Sequence, residues 1–416
     1  MTPPEQAVIF CGGLGTRLRP LTNDLPKPMA PVLGRPFLDH LIEQLAESGI
    51  KRVLLLSGYR ADQIARHYAS GRHAGVAIRC QATPAEWETG QRLAAAQPLL
   101  DERYLLLYGD NYSPLRYASL WSRHLAGQRP LTLTVAPKVT GNIRLHDDGT
   151  ATYDSSRTQG GATHVELGYM IVERDAIAAL EPAQGSFSRV LSQLSDQGRL
   201  AAFDTECAYE SISDLARLHQ LETHLRPRRL LLVDRDGVLN RKAPRGCYVQ
   251  HRDEFVWIDE NVAGLAALAQ AGFEFLIVSN QAGVGRGLFT LDAVDTLHAW
   301  MLAELARQGI VVRGVYVCPH HWEDHCSCRK PRAGLFFQAQ REHRFRLDRT
   351  LYLGDDVRDV TAARNAGCGS ILVGDEHPEP DAPPDLTVPD ILAAVPWIVA
   401  RFEHWEQSFA TPSAAN

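Results

Sequence analysis

Along the chain, short apolar runs that end in glycine or acid alternate with stretches in which apolar residues recur every three or four positions. The runs read as buried parallel strands and the 3.6-residue periodicity as amphipathic helix. In the first half the strands are Ala7–Cys11, Val53–Ser57, Val76–Cys80 and Tyr104–Tyr108. Between them Pro36–Gly49, Ala61–Ala69 and Gln91–Leu100 predict helices, the first on the spacing of Leu38, Leu41, Ile42 and Leu45. Leu215–Leu225 predicts a closing helix, which Arg226-Pro227-Arg228-Arg229 breaks because proline cannot continue it. A second series begins at Leu230–Val233 and runs through Phe275–Val278 and Leu351–Leu353. Acids and prolines from Asp375 to Pro389 predict an irregular loop, Pro389–Gln407 a last helix, and Ser408–Asn416 a disordered end. The alternation predicts an α/β protein of two doubly wound domains, residues 1–226 and 227–400, with 401–416 as a C-terminal tail.

The length of 416 residues agrees with two domains. A hydrophobic content of 45% with 22% charged residues is that of a soluble globular protein. The net charge of -6 gives no reason to expect nucleic acid or an anionic membrane as partner. No apolar run is long enough to span a bilayer, and MTPPEQAVIFCGG lacks the basic segment and apolar core of an export signal. Of eight cysteines, three crowd with histidine into the eleven residues from Cys318 to Cys328, which suggests metal rather than disulfides and a cytoplasmic location. A homo-oligomer is compatible with the sequence.

The candidate chemistry of the second half lies at strand ends. Asp234-Arg235-Asp236-Gly237 places two acids two residues apart after an apolar run. One carboxylate can attack phosphorus while the other handles the proton on the leaving oxygen. Such an attack needs a cation against charge repulsion, so Mg²⁺ is implied. Ser279-Asn280-Gln281 supplies hydroxyl and amide groups for a phosphoryl group, and Gly283-Val284-Gly285-Arg286-Gly287 a loop with one guanidinium. Lys330 follows, then Gly354-Asp355-Asp356 and Asp359. In type and order these motifs resemble the haloacid dehalogenase-like phosphatases over about residues 229–375. The resemblance implies a Rossmannoid domain with Asp234 as nucleophile and Asp236 as general acid/base. It puts Ser279 and Lys330 on the phosphoryl group, and Mg²⁺ on Asp234, the backbone carbonyl of Asp236, and Asp355. Asp356 stands where many such relatives have lysine.

Cys318-x-His320-x₅-Cys326-x-Cys328 is a closed tetrahedral ligand set suited to structural Zn²⁺, with His321 and His325 as alternative nitrogen donors. It would fix the loop entering Arg329 and Lys330. Within the phosphatase group a zinc loop recurs in heptose 1,7-bisphosphate 7-phosphatases and in histidinol-phosphate phosphatases. The cysteine spacing is closer to the second. Ser279–Gly287 and Gly246-Cys247-Tyr248-Val249 resemble the first, where Arg286 and Arg329 would meet the distal phosphate or sugar hydroxyls.

In the first half, Gly12-Gly13-Leu14-Gly15-Thr16-Arg17 follows a strand, and Lys27 sits in Pro26-Lys27-Pro28-Met29. Glycines let backbone N–H groups turn onto phosphate oxygens, and the basic residues add fixed charge. Residues 12–29 resemble the sugar-phosphate nucleotidyltransferases. The resemblance implies that Gly12, Gly13, Gly15, Thr16 and Arg17 hold a nucleoside triphosphate, that Arg17 and Lys27 neutralise charge during transfer, and that Asp110 binds Mg²⁺. Thr163–Tyr169 resembles the sugar-contacting strand of the branch making nucleotide-activated heptoses and capsule sugars. Two positions depart from that branch: Ser155 replaces a lysine, and Ser211, beside Glu210, replaces a second metal aspartate. The expected activity is heptose bisphosphate 7-phosphatase fused to a heptose 1-phosphate nucleotidyltransferase, GTP being the favoured nucleotide. The alternative is a histidinol-phosphate-type phosphatase with a non-catalytic binding domain.

Overall fold

The computed structural model describes residues 2–114, 116–157, 160–178, 185–207, 209–244, 246–374 and 383–410. The chain divides into two compact units between Thr223 and His224. That point lies inside the helix Leu215–Leu225, not after Arg226, because His224 is buried among residues of the second unit.

Unit 1 begins with β1 (Gln6–Cys11), α1 (Phe37–Glu47), β2 (Arg52–Ser57), α2 (Ala61–His67), β3 (Val76–Ala82), α3 (Thr89–Ala95) and β4 (Arg103–Tyr108). It continues with α4 (Tyr117–Gly127), β5 (Leu131–Pro137), β6 (His164–Glu173), α5 (Phe187–Asp196), β7 (Leu200–Asp204) and α6 (Leu215–Leu225). The sheet runs β6-β4-β1-β2-β3, with β1, β2, β3 and β4 parallel and β6 antiparallel to β4. All six residues of β1 are buried, as a strand covered on both faces requires. Its one polar residue, Gln6, is satisfied by Leu99 O and Asp101 N. The register of β6 on β5 shifts between Glu166 and Met170, and a bulge of this kind re-aims a side chain.

Unit 2 comprises β8 (Leu230–Val233), α7 (Asp259–Gln270), β9 (Glu274–Asn280), α8 (Leu291–Arg307), β10 (Val312–Cys318), α9 (Gly334–His343) and β11 (Leu351–Gly354). It ends with α10 (Val357–Ala366), β12 (Gly369–Val373), β13 (Leu386–Val388) and α11 (Ile391–Ala410). Its six strands are all parallel, in the order β10-β9-β8-β11-β12-β13. The order reverses direction on either side of β8, so a crevice opens above its carboxyl end.

Two expectations are corrected here. Leu386–Val388, expected in an irregular loop, forms the edge strand β13; residues 375–382 lie outside the described residues. The tail expected from residue 401 is helical to Ala410, because Phe402 is buried against Phe273 with ring centroids 4.9 Å apart. Residues 411–416 lie outside the described residues.

Candidate active site

In unit 2, Asp234 follows β8 directly and donates its backbone N–H to Leu353 O of β11, 2.9 Å away. Lys330 arrives from the loop after β10. Its Nζ lies 2.8 Å from Asp234 Oδ2 and 2.8 Å from Asp359 Oδ1, and donates to Val278 O (3.2 Å) and Tyr352 Oη (2.6 Å). Lysine and both carboxylates are buried. Burial pushes the Asp234 carboxyl up to about 7, against the pull of Lys330. Asp359 also accepts from the backbone N–H groups of Asp355 and Asp356, both 3.2 Å away, at the start of α10.

Oxygens of Asp234, Asp355 and Asp359 lie within 4.8 Å of one another. Asp355 Oδ1 is buried without a partner among the described residues, while its Oδ2 is 2.7 Å from Lys242 Nζ. Converging carboxylate oxygens with one unsatisfied atom fit a hard divalent cation such as Mg²⁺. Gly237, with φ +92°, is required here, because a Cβ on it would collide with the Asp355 carboxylate.

Asp236 is held differently. Arg235 Nη2 donates to both of its oxygens, at 2.9 and 2.8 Å, and Asn240 and Gln281 add donors at 3.0 and 2.7 Å. Burial raises the Asp236 carboxyl, but the Arg235 guanidinium and these donors outweigh it and hold the group below the ordinary range. Arg235 is itself fully buried, and its Nη1 donates to His298 Nε2 at 3.0 Å. Burial, then the guanidinium, push the His298 imidazole down to about 4. An unfolded histidine binds a proton near pH 6.5, so between that pH and about 4 the unfolded chain holds the extra proton and stability falls with acidification. His298→Gln keeps an acceptor for Arg235 without titrating. Relative to this variant, the wild type should lose about 2–3 kcal/mol between pH 6.5 and 4, measured by denaturant unfolding. Parallel pH curves for the two proteins would refute it.

The structure separates residues that the sequence grouped together. Ser279 and Lys330 line the same cleft as Asp234, and so does Arg329, whose Nη1 is buried without a partner among the described residues. Asn280 also lines it, but its amide is committed to the Lys330 backbone, with Oδ1 accepting at 3.1 Å and Nδ2 donating at 3.2 Å. Gln281 is fully buried and donates to Asp236 and to Ser279 Oγ. Asn280 and Gln281 thereby orient the groups around them. Arg286 donates to Gly246 O and lies over the rings of Tyr248 and Trp322; it buttresses the cleft wall.

Cys318, His320, Cys326 and Cys328 converge as one cluster, with sulfur–sulfur distances of 3.6 and 3.5 Å and His320 Nδ1 3.2 Å from Cys328 Sγ. Three thiols and one imidazole at these separations fit a tetrahedral Zn²⁺.

In unit 1, Gly12, Gly13, Lys27 and Asp110 line one cleft. Lys27 Nζ is 2.6 Å from Asp110 Oδ2. Gly15, at φ +61°, packs on the stem of Lys27, whereas Thr16 and Arg17 are exposed on the turn Thr16–Leu18 beyond the cleft lining. Ser211 pairs with Asn111 beside Asp110, and its Oγ takes part in hydrogen bonds with Ser213 and Arg217. Among the described residues no cluster of three metal-ligating side chains surrounds Asp110. Burial pushes the Glu166 carboxyl up to about 7, helped by the Asp110 charge, and its Oε1 has no partner among the described residues.

The sequence assigns no role to Arg235, Lys242, His298 or Tyr352, and places Glu166 only within the strand Thr163–Tyr169 that resembles a sugar-contacting one. Only Arg235, set between the two acids, carried a local signal.

A nucleotidyl transferase family model matches residues 6–144, and a HAD-hydrolase-like model matches residues 327–394. The D-glycero-beta-D-manno-heptose-1,7-bisphosphate 7-phosphatase of Bordetella bronchiseptica is 35% identical over 145 residues, 35% of this chain and 80% of that protein. The chain belongs to that phosphatase family. Its member from Pseudomonas putida is 32% identical over 171 residues, 40% of this chain and 97% of the relative. Among solved structures, the Bordetella bronchiseptica heptose bisphosphate phosphatase with magnesium and phosphate matches at 30% identity, covering 41% of this chain and 98% of its own, TM-score 0.38. HddC from Yersinia pseudotuberculosis with GMP-PN matches at 22% identity, covering 52% of this chain and 96% of its own, TM-score 0.44. No helix among the described residues is long and apolar enough to cross a membrane.

Proposed function

We propose that unit 2 removes the 7-phosphate of D-glycero-D-manno-heptose 1,7-bisphosphate and that unit 1 joins the resulting heptose 1-phosphate to a nucleotide, GTP by preference. Such a chain would serve nucleotide-sugar synthesis for lipopolysaccharide or capsule in the cytoplasm. The reading is carried by one observation: Lys330 bridges Asp234 and Asp359 at the strand ends of a domain in the heptose bisphosphate phosphatase family.

In this reading a carboxylate oxygen of Asp234 attacks phosphorus, the bond from phosphorus to the sugar oxygen breaks, and Asp236 protonates that oxygen. Water then attacks the aspartyl-phosphate while Asp236 takes its proton, and phosphate leaves. Because the Arg235 clamp holds the Asp236 carboxyl below the ordinary range, the proton it donates in the first step arrives with the substrate, from the acidic oxygen of the phosphate monoester. Lys330 and Ser279 bind the phosphoryl oxygens. Arg329, with an unpaired N–H group in the cleft, meets the distal phosphate. Asp234, Asp355 and the Asp236 backbone carbonyl would hold Mg²⁺, which supplies charge neutralisation at phosphorus. Asp359 adds a further oxygen near the Asp234–Asp355 pair. Zn²⁺ on the four-residue cluster would fix the segment that carries Arg329 and Lys330. In unit 1, Gly12 and Gly13 would receive the triphosphate and Lys27 the charge that builds on it. Asp110 would hold the Mg²⁺ of that site, with Lys27 competing for its carboxylate.

The test is a substrate profile of the purified chain. Heptose 1,7-bisphosphate should turn over at least ~100-fold faster than histidinol phosphate, because the histidinol compound leaves Arg329 without its anion. Heptose 1-phosphate with GTP should release pyrophosphate. Faster turnover of histidinol phosphate would overturn the heptose assignment. No pyrophosphate from GTP, ATP, CTP or UTP would reduce unit 1 to a binding module.

A further inference from the structure

Unit 1 buries a guanidinium that the chemistry above does not use. Arg92 on α3 is 2% exposed. Its side chain reaches the point where the parallel strands β1 and β2 end side by side, with Cys11 in register with Ser57. The guanidinium lies between the two residues that follow these strands, Gly12 and Gly58. A Cβ on Gly12 would stand 2.5 Å from Arg92 Nε, and one on Gly58 2.5 Å from Nη2. Both glycines are therefore matched to the arginine, and neither has a positive φ that would require glycine for another reason.

The partners of Arg92 are all neutral. Nη1 donates to Ser57 O at 2.9 Å and to Thr83 Oγ1, and Nη2 donates to Ala85 O at 3.1 Å. No carboxylate lies within ion-pairing distance of it among the described residues; Glu86, whose field reaches it, is exposed. A buried cation without a counter-ion is costly, and neutral acceptors recover only part of the loss. Arg92 also lines the cleft of about 400 Å³ that holds Gly12, Gly13, Lys27 and Asp110. An anion entering that cleft meets a fixed positive charge in low-dielectric surroundings, where attraction is least screened.

We propose that Arg92 is the buried counter-charge of the nucleoside triphosphate in unit 1. It acts from beneath the glycine loop through its charge, which the phosphates meet as they enter the cleft. The proposal rests on the nucleotide-binding reading of unit 1.

The experiment measures binding of GMP, GDP and a non-hydrolysable GTP analogue to the full chain by calorimetry, for wild type, Arg92→Lys and Arg92→Gln. Removing the charge in R92Q should weaken the triphosphate analogue by ~10- to 100-fold, GDP less and GMP least. R92K, which keeps the charge but not the fork that donates to Ser57, Thr83 and Ala85, should lose less than R92Q. Equal losses in R92K and R92Q, or a loss independent of phosphate number, would mean a packing clamp and overturn the proposal. If R92Q does not fold, Gly58→Ala displaces the guanidinium while keeping its charge. It should weaken the triphosphate analogue at least ~5-fold, and unchanged affinity overturns the idea. Absence of nucleotide binding by wild type would instead sink the reading of unit 1, and Arg92's role with it. A thermal unfolding profile of the full chain matching wild type reports that unit 1 of each variant is folded.

Discussion

Asp234→Asn should lower phosphatase turnover by at least ~10⁴-fold, because it removes the nucleophile and leaves no group of equal reactivity in its place. The amide has nearly the volume of the carboxyl, so the buried site keeps its shape. Lys330 retains Asp359 as its counter-ion. Pyrophosphate release by unit 1 should not change. The measurement is phosphate release at saturating heptose bisphosphate, together with intact-mass analysis of quenched enzyme. Wild type should carry a trapped phosphoryl group and the variant none. Residual turnover within tenfold of wild type would mean that water attacks phosphorus directly.

Lys330→Met should affect both stability and rate. The ammonium sits between two buried carboxylates, and its loss leaves Asp234 and Asp359 facing each other uncompensated. Breaking a buried pair from one side costs about 3–5 kcal/mol. Turnover should fall by ~10³-fold, since a fixed donor to the phosphoryl oxygens disappears with the charge. The sign of the pH effect follows from the acids. In the variant the Asp234 carboxyl, already raised by burial, loses the pull of the ammonium and rises further, so the folded chain binds more protons than the unfolded chain above about pH 4. Its stability deficit against wild type should therefore be smallest in acid and grow as pH rises. Unfolding curves at pH 5 and pH 8 check this, and a deficit larger at pH 5 would show that the lysine is not the counter-ion of the pair. This dependence runs opposite to that of His298, so the two are separable only as differences from their variants.

The strand ends of both sites were legible because a short apolar run followed by glycine and acid leaves few other readings. The roles within one strand end were less legible. By residue type Ser279, Asn280 and Gln281 read alike as phosphoryl ligands, whereas a strand alternates its faces with a period of two. The structure follows that period: residues 279 and 281 share a face and a hydrogen bond, while Asn280 turns to the Lys330 backbone. Arg235 carries a local signal between the two acids, but its buried contact with His298, 63 residues on, leaves no trace in the sequence. The edge strand Leu386–Val388 was hidden by prolines on either side of a three-residue run, too short for any periodicity to register.

The order of strands in unit 2 bears on how the domain is made. The central strand β8 is the first of the six to leave the ribosome, and its neighbour β11 is the fourth, after β9 and β10. A nascent chain that has emerged only through β10 would carry the attacking carboxylate without Asp355 or Asp359. Growing chains should thus be inert toward cellular phosphate esters until translation is nearly complete. A fragment produced by early termination would keep unit 1 whole without releasing an unregulated hydrolase.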